Sequence, residues 1–237
     1  MKRFYTLAIS ERDGDTGLHR FLLDGRPVKT PERAPLAVPG EAVAAAIVAE
    51  WMAQGERIDA ATMPVTGFAN ATIDRVLRDV DAFAHTITAY AESDLLCYRA
   101  GDPAELAEEQ ARHWEPLLDW ARQRYDVTFA VTSGIMPVDQ PATTVARLGA
   151  AVVALSPWVM AGFATIVSIT GSLVGSLALI EDVLSADALW DAAHVDERWQ
   201  ERRWGEDAEA TARMAIRRAQ YDDAARWCAL ILTGHAI

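Results

Sequence analysis

Residues 35–55, PLAVPGEAVAAAIVAEWMAQG, contain the point at which the chain changes from a strand pattern to a helix pattern. The prolines before Gly40 are typical of sheet edges and turns, because proline cannot donate a hydrogen bond to a strand ladder. After Gly40, apolar residues return at every fourth position and therefore share one helical face: Val43, Ile47 and Trp51. The stretch predicts an extended segment followed by a helix that ends near Gly55, since glycine favours a helix C-terminus.

The residues before this point have the pattern of short strands joined by turns. Phe4, Leu7 and Ile9 precede the turn-like segment ERDGDTG, and Asp24-Gly25 lies between two apolar runs in HRFLLDGRPVKT. Asp-Gly in such a position predicts a tight hairpin, because both residues tolerate positive φ.

Helical patterns dominate the chain beyond residue 60. The predicted helices are one from Ile73 to Tyr90, one ending near Tyr125, one starting at Ser185 and a final one from about Glu206 to Leu232. The run VTFAV at 127–131 is typical of a strand. We therefore expect an α+β fold, in which a small N-terminal β-rich α+β domain (residues 1–60) precedes a larger, mainly α-helical bundle (residues 61–237).

Composition and charge exclude several classes of function. The 237 residues are 51% hydrophobic and 24% charged, which is typical of a globular protein and not of a disordered one. Lys and Arg number 22 against 34 Asp and Glu, a net charge of −12. Because phosphate binding needs a basic face, nucleic acid is not an expected partner. The same balance disfavours adsorption to an anionic membrane surface.

Residues 148–180 carry no charged side chain, which raises the question of membrane insertion. The run exceeds the ~20 residues of a bilayer span, but Pro157 interrupts it and its flanks lack the basic clusters of a membrane anchor. We expect two consecutive buried helices, with a membrane hairpin as the alternative. The isolated cysteines Cys97 and Cys228 and the lack of a long apolar segment in MKRFYTLAIS favour a reducing cytoplasm.

Motifs of the common enzyme classes do not occur in the sequence. The missing patterns are the GxxxxGK[ST] phosphate loop, the GxGxxG dinucleotide fingerprint, the HExxH zinc motif and the GxSxG nucleophile turn. The histidines are scattered along the chain, and no Cys/His cluster is present. We therefore expect no catalytic residues, no metal ligands and no cofactor.

The densest polar segment is DERWQERRWGEDAE at residues 196–209. Its carboxylates could stabilise a helix start through the helix dipole, ligate a divalent metal, or grip basic and amide donors of a partner, with Trp199 and Trp204 as flat anchors. Arginines within the segment weaken the metal interpretation because they would neutralise the carboxylates. A metal-assisted hydrolase, the alternative to a binding function, would use four side chains: Asp196, Glu206, Glu209 and His194.

Seven short motifs together suggest a family. In chain order they are RPVKTP (26–31), AEWMAQGE (49–56), MPVTGFANATIDRV (63–76), YAESDLLCYRA (90–100), HWEPLLDWA (113–121), TGSL (170–173) and RWGEDAEA (203–210). The string resembles the F-type ATP synthase assembly chaperones that attend the alpha subunit of the catalytic head, in mitochondria and alphaproteobacteria. Each motif alone is weak, but seven in the family's order, covering nearly the whole chain, are specific.

The resemblance implies a non-enzymatic chaperone that binds the unassembled alpha subunit, shields the surface that later contacts the beta subunit, and leaves as the ring forms. It implies an N-terminal α+β unit with a C-terminal helical bundle. A partner-binding role carries over onto the acidic C-terminal motif: Trp204, Gly205, Glu206, Asp207 and Glu209. We expect Trp51 to have a structural role. We expect the protein to be a bacterial member of the family that is cytoplasmic, whereas its eukaryotic relatives occupy the mitochondrial matrix. We also expect it to be monomeric when free.

Overall fold

Strands and helices of the computed structural model are described for residues 1–134 and 136–233. The strands are β1 (Ala8–Arg12), β2 (His19–Leu23), β3 (Arg26–Pro27), β4 (Ala37–Val38), β5 (Tyr98–Arg99) and β6 (Thr132–Ser133). The helices are α1 (Glu41–Met52), α2 (Pro64–Asp74), α3 (Val80–Thr88), α4 (Ala104–Tyr125), α5 (Ala142–Val153), α6 (Pro157–Thr170), α7 (Leu173–Ile180), α8 (Ala186–Ala193), α9 (Val195–Trp204) and α10 (Ala208–Thr233). The predicted α+β class is confirmed, because a small N-terminal strand region precedes a mostly helical remainder.

The contacts within the described chain divide it into two compact units. They are formed by residues 1–80, 156–162 and 223–233 in the first unit, and by residues 81–155 and 163–222 in the second. The sequence predicts a single domain boundary after residue 60, whereas each of these units combines separate segments of the chain. The grouping does not test that boundary, which stays a prediction.

The N-terminal sheet is built around the predicted hairpin, which is confirmed. Strands β1 and β2 pair antiparallel, β3 continues beyond the turn, and β4 pairs with the other end of β2. Asp24 and Gly25 both have positive φ, 47° and 78°, as a tight two-residue turn requires. The Asp24 carboxylate also accepts hydrogen bonds from the amides of Thr6 and Leu7, which ties the start of the chain to the turn.

Helix α1 has the apolar face that the fourfold spacing predicts. Val43 and Ile47 are fully buried, whereas Trp51 is half-buried, in a small cluster with Tyr5, Ala8 and other apolar residues of the first unit. The Tyr5 hydroxyl donates to the Trp51 carbonyl oxygen at 2.6 Å, and the two rings meet edge to face at 5.6 Å. Trp51 therefore joins the helix to the sheet, and its structural role stays a prediction that this packing supports.

Buried carboxylates link distant segments of the first unit. Glu50 of α1 is 8% exposed, and its two carboxylate oxygens accept hydrogen bonds from the amides of Val65 and Thr66 at 2.7 and 2.8 Å, and from the Thr66 hydroxyl. These amides belong to the first turn of α2, where no intrahelical partner is available to them. Glu50 thus caps a neighbouring helix.

The predicted continuous helix from Ile73 to Tyr90 is wrong. Helix α2 ends at Asp74, a single 3-10 turn covers 76–78, and α3 starts only at Val80. Asp74 is held by a tertiary contact, because its carboxylate accepts hydrogen bonds from the Thr30 hydroxyl and the Glu32 amide. The apolar spacing continues across the break, and periodicity alone does not reveal where the backbone turns.

The uncharged run contains the end of α5, all of α6 and all of α7, so it contributes to three helices where two were expected. Buried residues along the run include Leu148, Ile166 and Leu177. Within residues 1–134 and 136–233, no helix combines the length and apolar character that crossing a membrane requires.

Residues 127–131 do not form the predicted strand. The backbone groups of Thr128 bond the hydroxyl of Thr144, and those of Ala130 bond the side-chain amide of Gln140. Side chains therefore satisfy the polar groups that a neighbouring strand would otherwise satisfy. The short strand pair of this unit is β5 with β6, which are parallel.

Asp94 organises the second unit from a fully buried position. Its carboxylate accepts hydrogen bonds from the amides of Leu96 and Val174 at 3.0 and 2.9 Å. Val174 lies in the first turn of α7, and Leu96 lies in the 3-10 turn that precedes β5. The motif 90–100 is therefore bonded to the residue that directly follows the motif 170–173. Burial raises the pKa of Asp94 from its ordinary value of 3.8 to about 6.

This raised pKa predicts a pH-dependent stability. A folded-state pKa above the unfolded one means that the contribution of Asp94 is fully present below about pH 3.8 and is lost as the pH rises through about 6. We expect the wild type to lose about 3 kcal/mol relative to Asp94→Asn between about pH 3 and pH 8, at 1.36 kcal/mol per pKa unit. Urea unfolding of both proteins across this range measures the difference. A constant difference would contradict the prediction.

Candidate functional site

Helices α8, α9 and α10 frame the acidic C-terminal motif, and contacts from α4 fix α9 in place. Gln110 of α4 donates to the Asp196 carboxylate at 2.7 Å near the start of α9. Near the end of α9, Arg202 pairs with Glu109 of α4 at 2.5 Å. These contacts tie both ends of α9 to α4, directly before the motif 203–210 begins to turn away from α9.

Gly205 ends α9 and turns the chain toward α10. Its φ is +91°, a conformation that a residue with a side chain rarely adopts. No atom lies close to the position that a Cβ would occupy at Gly205. Glycine is therefore favoured by the positive φ and not by a lack of space.

Asp207 begins α10 as its cap. Its carboxylate accepts hydrogen bonds from the amides of Glu209 and Ala210 at 2.8 and 3.1 Å. These amide hydrogen bonds, that of Ala210 first, lower the pKa of the Asp207 carboxyl. The side chain therefore remains ionised in the neutral pH range and carries its negative charge at the surface.

The other carboxylates of the motif face solvent. Glu209 pairs with Arg213 one turn further along α10, at 2.5 Å, with both side chains more than 60% exposed. A pair this exposed is screened and contributes little to stability. Glu206 is exposed and has no ion-pair partner within the described residues. Neither carboxylate is needed to hold the fold together.

Trp204 is 73% exposed although it is a large apolar side chain. Its ring meets that of Trp199 edge to face, with 5.5 Å between centroids and 87° between planes. An exposed Trp held by another aromatic ring is the type of residue that anchors protein interfaces.

A groove of about 640 Å³ runs between α9 and the first part of α10. Aromatic and apolar side chains line it together with charged ones: Trp190, His194, Glu197, Arg198, Gln200, Glu201, Trp204, Gly205, Asp207, Ala210, Thr211, Met214, Ala215 and Arg218. Trp204 and Asp207, both predicted site residues, therefore contribute to one concave surface. Glu206 and Glu209 flank Asp207 in sequence but do not line the groove.

The arginines of the groove are neutralised by carboxylates of the same chain. Arg198 pairs with Asp191 at 2.7 Å. Arg218 pairs with Asp187 and Asp222 while lying over the Trp190 ring. The negative side chains of the groove are left without such compensation, so the groove is acidic on balance.

Comparison with known proteins identifies the family. A family model described as "ATP12 chaperone protein" matches residues 2–122, more than half of the chain. The chain belongs to the ATP12 chaperone family. This membership confirms the resemblance seen in the motifs and supports the assignment to the chaperones of ATP synthase assembly.

Solved structures of the same family resemble this chain along nearly its whole length. Atp12 from Paracoccus denitrificans is 37% identical, with a TM-score of 0.92 over 97% of this chain and 98% of that one. An aspartate-to-lysine variant of the Paracoccus protein is 36% identical, with a TM-score of 0.92 over 97% of each chain. Atu1473 of Agrobacterium tumefaciens, named as a chaperone candidate, is 37% identical, with a TM-score of 0.90 over 96% of this chain and 85% of that one.

The ATP12 family motifs differ in what their polar side chains do. Motifs near Glu50, Asp74 and Asp94 contribute buried carboxylates that bond other segments of the same unit. The motif HWEPLLDWA contributes Trp114, which is 1% exposed and donates to the Ala192 carbonyl oxygen at 2.7 Å. By contrast, every residue of 203–210 is exposed. The motif 203–210 therefore differs from the others in that its polar side chains face solvent.

Residues of the hydrolase alternative make contacts that suit structure rather than chemistry. Asp196 binds Gln110, and Glu209 pairs with Arg213. His194 is buried, its ring stacks on Trp190 at 3.8 Å, and burial lowers its pKa. Across residues 1–134 and 136–233, no group of three or more His, Cys, Asp or Glu side chains could hold a metal ion.

Several groove residues do not appear in the predicted set. Glu197 and Glu201 belong to the acidic segment that the sequence singles out, and their i, i+4 spacing places them on one face of α9. Trp190, Met214 and Arg218 come from α8 and α10, and nothing in their local sequence indicates a shared surface. Only the tertiary packing of three helices reveals them.

Proposed function

We propose that this ATP12-family protein binds the unassembled alpha subunit of F-type ATP synthase and shields the surface that later contacts the beta subunit. The role is non-enzymatic, and the partner-binding residues are Trp204, Glu206, Asp207 and Glu209. The proposal extends the family membership to a specific client.

The observation that carries this proposal is the exposure of the motif 203–210. Trp204 exposes a large apolar side chain to water beside three surface carboxylates, which is unfavourable for the free protein. A partner that covers Trp204 and pairs with the carboxylates explains the combination, because interfaces place aromatic anchors within a charged rim.

The charge pattern also suits a chaperone that must release its client. An unassembled subunit exposes an apolar interface that is prone to aggregation. Charged contacts at a hydrated rim increase the association rate and specificity more than the affinity. A chaperone with such a rim captures its client quickly and yields it to the final partner subunit.

Co-purification with tagged protein from its own cell tests this function. We expect the alpha subunit to be recovered with the tagged protein and the beta subunit to be absent. The two purified proteins should also elute as one complex in size-exclusion chromatography, while the free chaperone elutes as a monomer. Recovery of beta as efficiently as alpha, or no complex with purified alpha, would contradict the proposal.

The state of the cysteines bears on the cellular location. Cys97 and Cys228 are free and buried, which suits a reducing compartment, so we propose that the protein acts in the cytoplasm.

A further inference from the structure

The groove between α9 and α10 has aromatic and apolar side chains in its lining, of which Trp204 is the exposed aromatic one. Trp190 is 8% exposed at its base and Trp204 is 73% exposed at its rim. Met214 adds a flexible apolar side chain, a type that adapts to the shape of a bound group. The volume of about 640 Å³ falls within the ~300–1,000 Å³ of sites that enclose a bound ligand.

Uncompensated carboxylates line the same groove. Glu197 and Glu201 lie one turn apart on α9, both exposed, and neither side chain forms a hydrogen bond or an ion pair within the described residues. Asp207 at the rim stays ionised. The two arginines of the groove are already paired with acids of their own chain, so they do not neutralise these carboxylates.

His194 does not change this balance at neutral pH. Burial lowers its pKa, which keeps the ring neutral, and its Nδ1 lies 2.9 Å from the Trp190 carbonyl oxygen. A ligand in the groove therefore meets both an aromatic side chain, Trp204, and net negative charge.

An aromatic side chain beside unpaired carboxylates selects one side-chain chemistry. A guanidinium group is planar, stacks on aromatic rings and pairs with carboxylates through several N–H donors, whereas an ammonium group is more strongly hydrated and stacks less well. The chain itself shows this arrangement, since Arg218 lies over the Trp190 ring at 5.2 Å while pairing with Asp187 and Asp222.

We propose that the groove receives a segment of the client that presents an arginine next to an apolar side chain, with Glu197 and Glu201 binding the guanidinium and Trp204 covering the apolar neighbour. This inference rests on the proposed function and specifies what the site recognises. It adds Glu197 and Glu201 to the recognition surface.

The test compares two double variants in binding to the purified alpha subunit by biolayer interferometry. Glu197→Gln with Glu201→Gln removes the groove carboxylates while keeping helix-forming side chains of the same size. Glu92→Gln with Asp139→Asn removes two exposed carboxylates that do not line the groove. Thermal melts of both variants check that they fold as the wild type does.

We expect the groove variant to bind about tenfold more weakly, with a reduced dependence on salt, and the control variant to bind as the wild type does. Equal binding by the wild type and the groove variant would overturn the groove inference and leave the proposed function intact. Failure of the wild type to bind alpha at all would overturn the proposed function itself.

A competition experiment tests the choice of arginine. Acetyl-Leu-Arg-amide should displace the alpha subunit from the wild type at a concentration several-fold lower than acetyl-Leu-Lys-amide does. The groove variant should lose this preference. Equal displacement by the two peptides, or none by the arginine peptide, would overturn the assignment of arginine.

Discussion

Reversing three surface charges together is expected to abolish detectable binding of the alpha subunit. The variant replaces Glu206, Asp207 and Glu209 with lysine, which turns the net charge of the exposed motif from negative to positive. Like charges brought together at an interface oppose association strongly, so we expect the affinity to fall by about a hundredfold or more. Biolayer interferometry with purified alpha subunit measures the change, and the release of aggregation-prone alpha measured by light scattering provides a second readout.

Two controls separate charge from folding in this experiment. Asp207→Ser removes the charge but keeps a side chain able to cap α10, so its effect isolates the charge at that position. Lysine substitutions at Glu92, Glu108 and Asp139, all exposed residues, change the net charge by the same amount elsewhere. Undiminished protection of alpha by the triple variant would show that the partner-binding site lies in another part of the protein.

Among the substitutions proposed for this protein, replacing Glu50 with alanine is expected to lower the free energy of unfolding the most. The substitution leaves the buried amides of Val65 and Thr66 and the Thr66 hydroxyl without their acceptor. An unsatisfied buried donor costs about 1–3 kcal/mol, so we expect the free energy of unfolding to fall by about 3–5 kcal/mol. Urea denaturation at fixed pH measures the change.

Matched substitutions identify the cause of that loss. Glu41→Ala removes an exposed carboxylate from the first turn of the same helix and is expected to cost less than about 1 kcal/mol. Glu50→Gln should fall between these values, because its amide nitrogen would face N–H groups and could accept nothing from them. A loss below about 1 kcal/mol for Glu50→Ala would mean that α2 starts equally well without this carboxylate.

Local signals in the sequence predict the elements whose geometry is determined locally. Asp24-Gly25 defines its own turn because both residues take positive φ, and Ser185 caps α8 through its own hydroxyl. The prediction is wrong where distant side chains decide. The side chains of Gln140 and Thr144 form hydrogen bonds with backbone groups of residues 127–131. Nothing within that run indicates that these side chains will be its partners.

The candidate site shows the same division. Its exposed part, residues 203–210, is recognisable in sequence because polar and aromatic residues cluster there without an apolar period. The groove is not recognisable, since Trp190 and Met214 resemble ordinary core residues of two separate helices until those helices pack against α9. Glu197 and Glu201 lie between these cases. The sequence shows that they belong to an acidic segment, but it does not distinguish them from Asp196, whose carboxylate accepts a hydrogen bond from Gln110.

The buried carboxylates also impose an order on how the chain matures during synthesis. Glu50 finds its amide partners 15 residues further along the chain, so this contact can close soon after α2 leaves the ribosome. Asp94 must wait for a partner 80 residues later, while its own segment is already exposed to solvent. Closing a longer loop costs more entropy and slows the step that needs it. The second unit of the nascent protein therefore stays incomplete until α7 has been synthesised.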